Sequence, residues 1–290
     1  MRASSIRAFL AISVLFLGTI GSEAKTPIST VSNELQMQLY SGYLIVVEAR
    51  VGDLQGLKFL VDTGATNTAI DRKLADRLGL AKEPGQLISI DKTVHVEWSK
   101  LPELDYGPEH FSNIPVVVQD MRYFLTAGVH VDGIIGWDLL RRRSFRVDFA
   151  RKRVSFGPLE QFEGRTVAIR PEPLFLTIQV EMNGRPMSMI ADTGMRGTAF
   201  YDGSLEAIRE SYNVLARAVG TSAGGTVKSR CVLVPRLKLG TQDLDREVQL
   251  VERPSSDSLQ GIAGYLGISA LDAKQIAFDF EHNELRWTTK

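Results

Sequence analysis

The sequence predicts a mainly β protein folded as two similar lobes related by a pseudo-twofold axis. Three observations predict it. Phe59-Leu60-Val61-Asp62-Thr63-Gly64-Ala65 recurs as Ser188-Met189-Ile190-Ala191-Asp192-Thr193-Gly194-Met195, with the two aspartates 130 positions apart. Gly133-Ile134-Ile135-Gly136 recurs 131 positions on as Gly264-Tyr265-Leu266-Gly267, and Val147-Asp148-Phe149 recurs at the same spacing as Phe278-Asp279-Phe280. Between these landmarks, short β-branched and aromatic runs are bounded by turn residues, which is the pattern of strands. Landmarks in one order at one offset make each half a structural unit.

Taken in order, residues 1–24 read as a cleaved secretory signal. Arg2 and Arg7 precede an apolar run from Ala8 to Ile20, and Ser22 and Ala24 supply the small residues of a cleavage site. The run is short of the ~20 apolar residues that span a bilayer, so the mature form is expected to lack a membrane span. Removing the segment leaves 32 basic and 33 acidic residues. A single cysteine, Cys231, forbids an internal disulfide in an exported chain, a pattern that suits a bacterial periplasmic protein.

Residues 25–160 form the expected N-terminal lobe. Leu44 to Val51 is strand-like and meets the Gly52-Asp53 turn. Asp71 can cap a helix over Arg72 to Leu78, closed by Gly79. Ser89 to Trp98 is the candidate covering hairpin, Ile114 to Val118 a strand, and Trp137 to Arg142 a short helix. Gly and Pro interrupt the pattern between Phe156 and Pro173. Residues 161–290 then repeat the plan: Phe175 to Met182 meets Asn183-Gly184, and Ser204 caps a helix to about Tyr212. Thr221 to Val227 offers a hairpin with Gly224-Gly225 at its hinge or tip, Arg246 to Val251 a strand, and Ser269 to Lys274 a helix. Whether Lys25 to Leu39 is a propeptide or an edge strand stays open.

Composition removes several function classes. With 34 basic and 34 acidic residues the chain lacks the cationic excess that a nucleic-acid partner demands. The four histidines are scattered, with no spacing suited to a metal, and no cofactor is implied. Gly220-Thr221-Ser222-Ala223-Gly224 matches a nucleophile elbow, but Gly225-Thr226-Val227 does not begin the helix that motif needs. Cys231 lies in a strand-like run and reads as a buried small residue. Arg141-Arg142-Arg143 reads as a solvated helix end. Trp98, Trp137 and Trp287 read as packing residues, and Asp148 and Asp279 as structural turn or surface positions.

The chemistry lies in the paired turns. An aspartate that ends a buried apolar strand meets a desolvation penalty on its charged form. The following glycine lets backbone amides approach the carboxylate, and the threonine hydroxyl can bond a partner loop. A pseudo-twofold axis brings Asp62 and Asp192 face to face. Two such charges cannot both ionise, so the pair shares one proton. One member can then activate a water while the other polarises a carbonyl, giving amide hydrolysis without metal or covalent intermediate.

With those residues the chain resembles the retropepsin-like aspartic proteases, in the bacterial exported branch that carries both lobes on one chain. The resemblance covers essentially the whole mature sequence. Each lobe of that family carries Asp-Thr/Ser-Gly-Ala/Ser and, later, an apolar-apolar-Gly element. Asp62-Thr63-Gly64-Ala65 with Ile134-Ile135-Gly136 fits, as does Asp192-Thr193-Gly194 with Tyr265-Leu266-Gly267. The resemblance implies a catalytic role for Asp62 and Asp192. Thr63, Gly64, Ala65, Thr193 and Gly194 would support the loops, and flap residues Gly224 and Gly225 would lie over a polypeptide substrate, in a monomer. Met195 stands where the family has Ala or Ser, and the flaps are weakly marked. The rival reading is a catalytically silent peptide-binding module of the same fold.

Overall fold

Strand pairing builds the molecule outward from a six-stranded antiparallel sheet shared by the two halves. The computed structural model describes residues 33–159, 162–207 and 212–289. The expected signal segment lies outside the described residues. In the first half, β1 (Glu34–Tyr40), β2 (Leu44–Val51), β3 (Leu54–Val61) and β4 (Ala69–Asp71) lead into α1 (Arg72–Arg77). The hairpin β5 (Glu83–Ile88) and β6 (Thr93–Tyr106) follows, then β7 (Glu109–Gln119) and β8 (Gly133–Ile135). A short α2 (Trp137–Leu140), β9 (Phe145–Asp148) and β10 (Arg153–Phe156) close the half.

The second half repeats the plan with β11 (Arg165–Pro171), β12 (Leu176–Met182), β13 (Arg185–Asp192), β14 (Thr198–Tyr201) and α3 (Ser204–Ala207). Its hairpin is β15 (Asn213–Ser222) and β16 (Gly225–Leu233). After it come β17 (Leu237–Leu239), β18 (Gln242–Asp243), β19 (Glu247–Val251), β20 (Ile262–Gly267), β21 (Ala273–Asp279) and β22 (Glu284–Thr289). The molecule is mainly β, with two similar lobes.

Registers show that the repeat is structural. Val46 pairs Leu60 in the first half, and Thr177 pairs Ile190 in the second, the same pair moved by 131 and 130 positions. β3 runs parallel to β8, and β13 parallel to β20, so each Asp-Thr-Gly strand lies beside its apolar-apolar-Gly element. The shared sheet runs β1, β10, β9, β21, β22, β11. At its centre Arg146 pairs Ala277, flanked by Val147 with Ile276 and Phe145 with Phe278. A shift of 131 maps the Arg146–Ala277 pair onto itself, so the pseudo-twofold axis passes through it. β1 is an edge strand that spans two sheets: Glu34 to Gln36 pair with β10, and Met37 to Tyr40 with β2.

One apolar core runs through both lobes beneath this sheet, from Val61 and Trp137 to Ala191 and Trp287. Phe145 and Phe278 stack across the halves with ring centroids 4.5 Å apart, a contact worth about 0.5–1.5 kcal/mol beyond area burial. Trp137 and Trp287 are both fully buried, and their indole N–H groups donate to Glu172 O (2.8 Å) and Gln242 Oε1 (2.7 Å). Asp148 and Asp279 are buried turn caps: Asp148 accepts the Arg151 amide, and Asp279 those of Glu281 and His282.

The helices follow the sequence reading in part. The Asp71 side chain accepts the Lys73 amide at 2.9 Å and caps α1, which buries Leu74 and Ala75. The helix expected from Ser204 is described only to Ala207, and Tyr212 already precedes a strand. The helix expected over Ser269 to Lys274 is not formed. A 3-10 turn spans Ile268–Leu271, Asp272 adopts a left-handed conformation (φ 44°), and Ala273 enters β21. A left-handed residue ends a right-handed turn, and the central strand register then takes over.

Candidate active site

β3 and β13 deliver Asp62, the residue after β3, and Asp192, the last of β13, to the floor of one cleft between the lobes, because each strand is pinned on both sides by core strands. Threonines lock the two ends together. Thr63 Oγ1 donates to Ala191 O (2.7 Å) and accepts the Thr193 amide (3.1 Å). Thr193 Oγ1 donates to Val61 O (2.7 Å) and accepts the Thr63 amide (3.0 Å). Both threonines are buried. Four reciprocal bonds in a dry setting leave neither turn free to move without stranding a polar group of the other.

Inside that grip the carboxyls of Asp62 and Asp192 lie close together, each against the glycine of the opposite turn. Asp62 Oδ1 accepts the Gly64 amide (2.9 Å) and the Ala65 amide (3.2 Å); Asp192 Oδ1 accepts the Gly194 amide (2.7 Å), with the Met195 amide also turned to its carboxylate. The glycines are required for close approach. A Cβ on Gly64 would lie 2.3 Å from Asp192 Cγ, and one on Gly194 2.6 Å from Asp62 Oδ2. Gly136 and Gly267 pack as tightly, with a Cβ on either falling 2.4 Å from the backbone of Asn67 or Gly197. Met195 keeps the amide contact that Ala65 makes in the other turn, and its side chain packs beside the cleft.

Desolvation raises both carboxyl pKa values above the ordinary 3.8. Asp192 also feels the Asp62 charge, while the backbone amides of Gly64 and Ala65 at Asp62 and of Gly194 at Asp192 work against the rise. Two carboxyls this close cannot both ionise freely, so they titrate as one coupled unit.

The turns are braced from behind by different groups. In the first lobe, half-buried Asp138 Oδ1 accepts the Thr68 amide (2.9 Å) and hydroxyl (2.8 Å). In the second, 131 positions on, Ser269 Oγ accepts the Gly197 amide and donates to Met195 O. Neither residue was singled out in the sequence; superposing the two halves is the signal that exposes them.

Two hairpins roof the cleft. β15 and β16 turn at Ala223 and Gly224, with Gly225 in the left-handed region (φ 90°), as the paired glycines predict. The first-lobe hairpin turns at Ser89 to Lys92, closed by a Ser89 amide to Lys92 carbonyl bond of 2.8 Å, and so needs no glycine. The tips touch: Ser89 Oγ lies 3.0 Å from Ser222 Oγ and accepts the Gly224 amide (3.2 Å), and Lys92 Nζ donates to Thr226 O (3.2 Å). Ser222 sits in this tip and enters a strand, not a helix. The cleft beneath them has a volume of about 850 Å³. Tyr43, Trp98, Tyr123, Phe175 and Tyr265 line it, so Trp98 is a wall of the cleft and not a packing residue only, because β6 presents it over Gly85 at the cleft edge. Cys231 is buried on β16, hydrogen-bonded to Glu247, with its thiol pKa raised first by that bond. No group of three or more His, Cys, Asp or Glu side chains suited to a metal occurs among the described residues, and none of their helices is long and apolar enough to cross a membrane.

The aspartyl protease family model matches the chain twice, over residues 47–139 and 178–270, once in each lobe. No curated protein sequence matches the chain at a significant level.

Proposed function

The chain belongs to the aspartyl protease family, and from that premise we propose that it is an aspartic endopeptidase that hydrolyses peptide bonds with one water held between Asp62 and Asp192. The observation that carries the reading is the reciprocal threonine grip, which holds the two carboxyls close together at the floor of a roofed cleft. Asp62, ionised, takes a proton from the water; Asp192, protonated, donates to the substrate carbonyl oxygen. The water oxygen bonds to the carbonyl carbon, giving a gem-diol and leaving Asp62 protonated and Asp192 ionised. Asp62 then passes its proton to the amide nitrogen, the C–N bond breaks, and a diol hydroxyl returns its proton to Asp192. The dyad ends in its starting state, with amine and carboxylic acid released. The hairpins exclude bulk water, which strengthens each of these contacts.

Cleavage of an unfolded polypeptide from acid to neutral pH tests the reading. Asp62→Asn and Asp192→Asn should each reduce kcat/KM by at least about a thousandfold. Wild-type protein that binds peptide without cutting it at any of these pH values points instead to a catalytically silent binding module. Export belongs to the same proposal: the mature protein should begin at Lys25, read by N-terminal mass analysis, and run as a monomer on size exclusion.

A further inference from the structure

The pseudo-twofold relation gives the cleft an internal control, because each wall residue has a counterpart at the other end. The charged residues lining the cavity, among those described, are Asp62, Asp192 and Arg196. Arg196 follows the second Asp-Thr-Gly turn by two positions and is exposed to the cleft. Its counterpart 130 positions earlier is Thr66. Tyr43, from the other lobe, lines the same cavity, and its phenol, raised first by burial, also feels the charges of Arg196 and Asp192. The counterpart of Tyr43, 131 positions on, is Leu174, another cavity residue. One end of the cleft thus carries a cation and a phenol, where the other carries a leucine and a threonine.

Burial keeps the Tyr43 phenol protonated, so it serves as a donor. Arg196 makes no ion pair to a described residue, and its guanidinium offers five donors in a planar fork. A dyad that holds one proton bears one negative charge and repels a second anion nearby. Arg196 reverses that repulsion on its own side only. We infer that Arg196, with Tyr43, is a specificity determinant that binds a carboxylate of the substrate at one end of the cleft, so that peptides with an acidic group beside the scissile bond are preferred and enter in one direction. The carboxylate can be an Asp or Glu side chain or a free C-terminus. The turnover part of this inference rests on the endopeptidase reading; the binding part does not.

The test uses matched peptides that differ by Glu against Gln at successive positions around the cleaved bond, and a second set with free-acid against amidated C-termini close to it. Wild-type kcat/KM should favour the carboxylate member by roughly ten- to a hundredfold at one position or in one set, the range of a hydrogen bond to a charged group. That position identifies the source. Arg196→Ala should collapse the ratio towards one, Arg196→Lys should keep part of it, and Arg196→Glu should favour Lys over Glu at the same place. Equilibrium binding of the same peptides to the Asp62→Asn protein should show the same order. A wild-type ratio near one in both sets, or a ratio that Arg196→Ala leaves in place, overturns the inference. Binding that prefers the acid without turnover by the wild type overturns the endopeptidase reading and leaves this one standing.

Discussion

The two Asp-Thr-Gly turns are near copies, whereas the loops around them are not, and the contrast separates what the chemistry requires from what the substrate requires. Both turns end a strand pinned between core neighbours, carry a threonine that bonds the other lobe, and place a glycine against the opposite carboxyl. A peptide, however, has a direction. Around the turns the lobes diverge: Asp138 against Ser269 behind them, Leu174 against Tyr43 and Thr66 against Arg196 at the cleft ends. The roofing hairpins differ too, since β15 exposes Val214, Leu215 and Val219 (73% for the last), while β6 packs Trp98 over Gly85. Duplication supplies the paired geometry of the two turns, and divergence makes the two ends of the cleft unlike.

Breaking the symmetric part should cost most. Gly64→Ala and Gly194→Ala each drive a methyl into the opposite carboxyl, and a displacement near 1 Å predicts a loss of about a hundredfold or more in kcat/KM. Equal losses from the two variants fit a symmetric dyad, whereas a loss confined to one lobe breaks the comparison. Thr63→Val and Thr193→Val each delete two of the four reciprocal bonds. Each should destabilise the fold by about 1–3 kcal/mol per buried group left unpaired. The double variant should cost less than the sum, since both act on one network; urea unfolding of the cycle checks this.

The dyad also predicts a stability effect with a definite sign. The folded-state pKa of Asp192 lies well above its unfolded value, so the folded protein holds that proton more tightly. Below the unfolded pKa the group is neutral in both states and costs nothing; as pH rises past that value the penalty grows until the folded pKa is reached. Asp192→Asn should therefore raise Tm at neutral pH, by roughly 2–4 °C for each kcal/mol relieved, and the gain should vanish toward strong acid. Asp62→Asn should give a smaller gain. The weakest expected effect belongs to the roof: Ser89→Ala removes the tip contacts to Ser222 and Gly224 and should raise KM a few-fold while leaving Tm within about 0.5 kcal/mol equivalent of wild type.

The repeat made the catalytic floor legible in the sequence. Asp62, Thr63, Gly64 and their partners recur at one offset, and recurrence survives without knowledge of tertiary contacts. The residues that make the two lobes' cleft walls unlike were not legible for the opposite reason. Arg196, Tyr43 and Trp98 matter because they differ from their counterparts, and a difference at one position of a repeat looks like drift until the cavity brings the side chains together. The first hairpin tip was hidden because a four-residue turn closed by Ser89 and Lys92 needs no glycine to mark it. The failed helix at Ser269 to Lys274 shows tertiary pairing overriding local propensity, with Gln275 drawn into register with Asp148 across the lobe boundary.

The most direct test of the shared proton is the pH dependence of kcat/KM on a peptide without ionisable side chains. The structure predicts a bell, with activity requiring Asp62 ionised and Asp192 protonated, and both limbs displaced upward from the ordinary carboxylate range because burial raises both groups. A profile with one limb only, or a bell that persists unchanged when Asp192 is replaced by Asn, would contradict a dyad that works by holding a single proton between two lobes.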